Sequence, residues 1–120
     1  METHISRATA YYPDASRLEG GFLDCIGRKL CTLQDHIAGK APYCSLAFDE
    51  HLHLPYGTLI TIPKLDIILN FSLILKAVDN GGAFAGKGFS RFDICVNGHQ
   101  NSLLHYVNAT YTIHVWRTES

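Results

Sequence analysis

The stretch "AVDNGGAFAGKGFSRFDICV", residues 77–96, sets an aspartate at the end of one apolar run and a second aspartate inside the next, with a glycine-rich passage between them. In "RFDICV" (91–96), strand alternation puts Phe92, Ile94 and Val96 on one face and Arg91, Asp93 and Cys95 on the other. Asp93 therefore lies mid-strand, with no turn or cap to serve. In "SLILKAVD" (72–79), the same alternation places Asp79 on the side of Leu73, Leu75 and Ala77, at the strand end. Gly81 and Gly82 after the first run, and Gly86 and Gly88 before the second, suit tight strand crossings.

Outward from this pair, period-two alternation bounded by turn residues predicts four more strands, at 7–12, 43–49, 58–63 and 110–116. Thr32, Asp35 and Gly39 supply a cap, a third-position acid and a stop for a helix of one or two turns. A second short helix is expected at 100–106. Six short strands with one or two short helices imply an all-β fold, and closure into a barrel removes exposed edges. A sandwich is the alternative. The 120 residues make one domain, with residues 1–6 expected to be disordered ahead of the first strand.

Hydrophobic residues are 47% of the chain, charged ones 18%, and the formal net charge is -1. This balance argues against nucleic acid or an anionic membrane surface as partner. The longest apolar passage, "LDIILNFSLILKAV", is broken by Asp66, Asn70, Ser72 and Lys76, which rules out a spanning helix. A soluble monomer is expected. The N-terminus lacks a secretion-signal core, so the chain either stays inside the cell or acts in the periplasm or cell wall after a leader is removed.

Cysteines stand at 25, 31, 44 and 95, compatible with two disulfides or with free, partly buried thiols. There is no CxxC pair and the histidines are scattered, so no metal or other cofactor is expected. His51 and His53 would share a side if extended, but a solvated loop explains them better.

Asp49, ending "SLAFD" before a Pro55–Gly57 turn, is a third strand-end acid. Asp79 before "NGG" also fits an ordinary turn residue, and Asp93 also fits a half-exposed acid paired with Arg91 or Lys87. Together, three such carboxylates suggest a site, because acids that converge in a poorly hydrated cleft repel and one of them keeps its proton. A protonated acid is what cleavage of a glycosidic bond needs.

"SLAFDEHLHLPYGTLITI" followed by "AVDNGGAFAGKGFSRFDICV" resembles the three-aspartate domain, also found at the end of membrane-bound lytic transglycosylase A. Asp49, "PYGT" (55–58), "DNGGAFAG" (79–86) and "RFD" (91–93) match its motifs in order over about half the chain. The resemblance implies a double-psi β-barrel of six strands, peptidoglycan as substrate, and Asp93 as the single acid and base. Protonated Asp93 would donate to the oxygen between N-acetylmuramic acid and N-acetylglucosamine, then take the proton of the sugar's own 6-hydroxyl, leaving a 1,6-anhydro sugar. Asp79 would raise the pKa of Asp93, with Asp49 in support. The opening "ATAYYPD" is similar to the first strand of the wider barrel group that includes expansins, rare lipoprotein A and family 45 glycoside hydrolases. There Thr9, Tyr11 and Asp14 would line the polysaccharide groove.

Substrate-binding candidates are thus Thr9, Tyr11, Glu19, Gly81, Gly82, Lys87 and Arg91. Against the family's pattern, the loop before Arg91 is longer by "KGFS", and a bare barrel without an accessory domain is expected. Two other readings therefore stay open: a polysaccharide-binding barrel without catalysis, and a protein-interaction or inhibitor module on the same fold.

Overall fold

The computed structural model describes residues 1–14, 21–81 and 84–117. Six strands close into a barrel: β1 (Glu2–Tyr11), β2 (Cys44–Phe48), β3 (Thr58–Thr61), β4 (Leu75–Asn80), β5 (Arg91–Cys95) and β6 (Thr110–Trp116), in the spatial order β1-β5-β2-β4-β3-β6. Two neighbouring pairs are parallel, β1 with β5 and β2 with β4; the other four are antiparallel. The expected all-β barrel is the architecture found.

The long β1 makes closure possible by changing partners along its length. Glu2 to Arg7 pair with β6, and Arg7 to Tyr11 pair with β5, so Arg7 belongs to both ladders. Residues 2–6, expected to be disordered, are thus the first half of a barrel strand. Their ladder with β6 satisfies alternate backbone groups, which favours order despite their polar composition.

Inside the barrel, Leu46, Phe48, Ile60, Leu75, Phe92, Ile94, Ile113 and Val115 are all but sealed from solvent. The Phe48 and Phe92 rings stack at 5.4 Å across the β2–β5 ladder. All five residues of β2 are buried. Its inward side chains meet the core, while its outward Ser45 lies under the 21–32 loop, donating its N–H to Cys31 O (2.8 Å) and accepting the Cys31 N–H at its hydroxyl (2.9 Å).

Three short helices connect the strands among the described residues: α1 (Leu33–Ile37), α2 (Pro63–Leu69) and α3 (His99–Ser102). Thr32 caps α1 by accepting the Asp35 N–H at 3.1 Å, and Gly39 follows with φ +78°, as expected. The sequence reading missed α2. Its signals are Pro63 in the first turn and Asn70 in the left-handed conformation at its end (φ 50°), inside a passage read only for apolar character. α2 starts at Pro63, the last residue of the expected third strand, which ends at Thr61, and β4 begins at Leu75 rather than at 72. No described helix is long and apolar enough to cross a membrane.

Candidate functional site

Ladder register puts the site together. Asp93 is the Cα partner of Thr9 on one side and of Ala47 on the other, and Ala47 is in turn the partner of Asp79. One row of side chains therefore runs Thr9, Asp93, Ala47, Asp79 across four adjacent strands. Adjacent strands lie about 4.8 Å apart, so the backbones at Asp93 and Asp79 are separated by roughly 9.6 Å. In that row the small side chain of Ala47 stands between them.

This row is on the outside of the barrel. On β5 the alternation is as read: Phe92, Ile94 and Val96 are fully buried, and Asp93 is half-buried on the opposite face. On β4 it is not. The register slips between Leu46 and Ala47, which pair with Ala77 and Asp79, leaving Val78 as an extra residue. This β-bulge re-aims everything beyond it. Asp79 was expected on the face of Leu73, Leu75 and Ala77; the bulge turns it to the outer face, in line with Asp93.

Burial holds the proton on Asp93 to higher pH than an ordinary aspartate, against the opposing effects of a hydrogen bond from the Thr9 hydroxyl and the charge of Arg91. Asp79 is shifted the same way, first by burial and then by the charge of Asp24, while the Asn80 N–H donates to its Oδ1 (3.0 Å) and opposes the shift. Tyr11, one turn of the alternation beyond Thr9, sends its hydroxyl into the same area. That hydroxyl is buried beside the Cys95 thiol, and its pKa is well above the usual value because of burial and the nearby Cys95, Asp79, Cys44 and Asp93.

Asp49 is a different kind of acid. It ends β2, is only 3% exposed, and caps a 3-10 turn at Glu50–Leu52. Its carboxylate accepts the Gly88 N–H (2.8 Å) and the His51 N–H (3.0 Å), and lies 3.1 Å from His51 Nδ1. These donors, Gly88 foremost, bring its pKa down to about 2. Asp49 thereby ties the β2–β3 connection to the loop before β5, and its lone pairs are spent on that. Asp49 and Asp79 both border a cavity of about 220 Å³ beside the β2–β3 connection, together with Cys25, His53 and Tyr56; Asp93 does not border it.

The "KGFS" segment folds down onto the barrel. Gly88–Ser90 form a 3-10 turn whose Phe89 stacks on His4 at 3.9 Å and meets Phe48 edge-on at 6.1 Å. Lys87 is exposed at the start of that turn. Among the described residues, no ion pair joins Asp93 to Arg91 or Lys87. Gly81 has a packing role: a Cβ there would lie 1.9 Å from the ring of Phe84, which is 1% exposed. His51 and His53 are in a turn at the surface, and His53 is left-handed (φ 49°). Glu19 and Gly82 lie outside the described residues. All four cysteines are free thiols.

The sequence reading missed Asp24. Only 7% exposed, it accepts the Ile26 and Arg28 N–H groups at Oδ1 (3.1 and 2.9 Å) and the Tyr56 hydroxyl at Oδ2. Its loop is fastened to β4 just before Asp79 by the Cys25 N–H to Val78 O hydrogen bond (3.3 Å). The "DCIGR" pattern, an aspartate three residues before a glycine, was its one local signal. No family model, curated protein or solved structure matches this chain.

Proposed function

We propose that this barrel cleaves the β-1,4 bond between N-acetylmuramic acid and N-acetylglucosamine in peptidoglycan, with Asp93 as the one acid and base. The observation that carries the reading is the state of Asp93: a mid-strand carboxyl on the outer face, hydrogen-bonded by Thr9 and kept protonated to raised pH by burial. A general acid works best with a pKa near the operating pH, and burial moves Asp93 in that direction. After donating to the glycosidic oxygen, the ionised group is the base that accepts the proton of the 6-hydroxyl, so no second carboxylate at hydrolase spacing is required. Asp79 supports the reading as a second raised acid in the same row. Asp49 enters it only as the tie that holds the neighbouring loops.

The test is release of 1,6-anhydro-muropeptides from purified sacculi by the wild type and by Asp93→Asn. Release by the wild type that vanishes in the variant is expected; equal release by both would end the catalytic assignment. A second reading, a barrel that binds glycan without cutting it, is favoured by one observation: Asp93 stands outside the cavity that Asp79 borders. Pelleting of wild type and Asp93→Asn alike with insoluble glycan, with no product from either, is its expected signature.

A further inference from the structure

Residues 22–30 form a small hairpin that turns apolar side chains outward. Leu23 and Lys29 make an antiparallel bridge, the Leu30 N–H donates to Phe22 O (3.0 Å) and the Asp24 N–H to Arg28 O (2.7 Å), so Cys25, Ile26 and Gly27 are the tip. Asp24 fixes that tip: its Oδ1 accepts the Ile26 and Arg28 N–H groups, and Gly27 closes the turn with φ +86°. Asp24 and Leu30 are buried and anchor the hairpin, while Phe22, Leu23 and Ile26 are 54%, 52% and 55% exposed. The display is built in advance, and it holds three large apolar side chains in water, which is unfavourable until something covers them.

Charge and size select what covers them. Arg28 and Lys29 are exposed on the same hairpin, Lys29 directly across the bridge from Leu23. Neither belongs to an ion pair among the described residues. The hairpin's own acid, Asp24, is buried and spends its oxygens on two backbone amides and the Tyr56 hydroxyl, so the exposed charges of the hairpin are both positive. The formal charge of -1 is a sum over the whole chain and conceals this local pair. Three half-exposed side chains fall far short of the roughly 800 Å² per partner that a stable protein interface buries. A bilayer needs neither that area nor a matching shape: it admits a small apolar projection at its acyl boundary while anionic headgroups meet the cations.

We propose that the 22–30 hairpin is a membrane-docking tip: Phe22, Leu23 and Ile26 enter the interface of an anionic phospholipid bilayer, and Arg28 and Lys29 bind its headgroups. The Cys25 N–H bonded to Val78 O ties the hairpin to β4 beside Asp79, so a docked barrel holds Asp79 close to the lipid surface. This surface goes beyond the glycan reading above and does not rest on it.

Co-sedimentation decides it, using phosphatidylcholine vesicles with and without phosphatidylglycerol. The wild type is expected to bind the anionic vesicles about fivefold or more tightly than the neutral ones, the worth of a single basic residue at an anionic surface, and to lose that margin in high salt. Ile26→Asp, at an exposed tip position, is expected to keep the wild-type melting temperature and to weaken binding about tenfold or more. Arg28→Gln combined with Lys29→Gln is expected to bring the two kinds of vesicle together. No pelleting with anionic vesicles, equal pelleting with both kinds, or binding unchanged in Ile26→Asp overturns the proposal. So does a concentration-dependent dimer that Ile26→Asp disperses while vesicles go unbound, which gives the tip to a second copy. The vesicles carry no glycan, so these results and the release of anhydro-muropeptides from sacculi stand or fall separately.

Discussion

Asp49 and Asp93 are both strand aspartates, yet the molecule treats them in opposite ways. Asp49 is better sealed from solvent, though at the rim of the molecule, and is surrounded by N–H donors, and its pKa falls to about 2. Asp93 is less well sealed but receives only a hydroxyl, and its pKa rises. Burial alone therefore does not decide what a carboxylate is for. Supply of donors does: where backbone amides converge the pKa of the acid is lowered and the acid is a structural tie, and where they are absent burial raises it.

Substituting Asp93 breaks the comparison most sharply. Asp93→Asn should lower glycan cleavage by about 10²-fold or more, the usual worth of a general acid. The same variant should be more stable than wild type at neutral pH. A carboxyl whose folded pKa is raised contributes stability fully below its ordinary value of 3.8 and loses it as pH rises through the folded pKa; asparagine has no such loss. Chemical denaturation at pH 7 and at pH 3.5 checks the sign, and a variant less stable at pH 7 would contradict it.

Gly81→Ala probes the loop that leads from one acid to the other. The new Cβ must displace the Phe84 ring, with a cost of about 1–3 kcal/mol from overpacking. Urea unfolding measures it; an unchanged midpoint would mean that the ring moves freely.

Asp49→Asn tests the structural side of the contrast. The variant should unfold at lower temperature than wild type at pH 6, and the difference should shrink as pH falls from 3.8 towards 2. A depressed carboxylate gives its stability above the ordinary value and loses it as pH drops through the folded pKa. Thermal melts over that range would expose a constant difference if the amide contacts were unimportant. The smallest effect is expected from Thr9→Val. Loss of the hydroxyl removes the one hydrogen bond that lowers the Asp93 pKa, so the alkaline limb of the pH–activity profile should move up; a profile that stays still would detach Thr9 from the acid.

Alternation was enough to read β5 and β6 from the chain, because both keep a strict period of two: Phe92 and Ile94 inward, Tyr111, Ile113 and Val115 inward. It misled on β4, where nothing in "KAVDN" marks Val78 as the extra residue; the bulge shows only in the pairing of β4 with β2. It also missed α2, whose apolar residues Ile67 and Ile68 are exposed rather than facing the core, so a reading by hydropathy found only a broken apolar passage. Asp24 was hidden for a third reason. Its role comes from Tyr56, distant in sequence, and from the strand edge its loop reaches.

The chain by itself determined six short alternating segments around an apolar interior, as a barrel or a sandwich, and that Asp93 would stand on the face away from it. Those are properties of period and hydropathy, which are local. Only the tertiary structure decided which acids stand in a row. Asp79 joins Asp93 through a register slip, and Asp49 leaves the set through amides supplied by Gly88 and its neighbours. Each depends on pairing between segments far apart in the chain, and pairing is settled by the closure of the whole barrel.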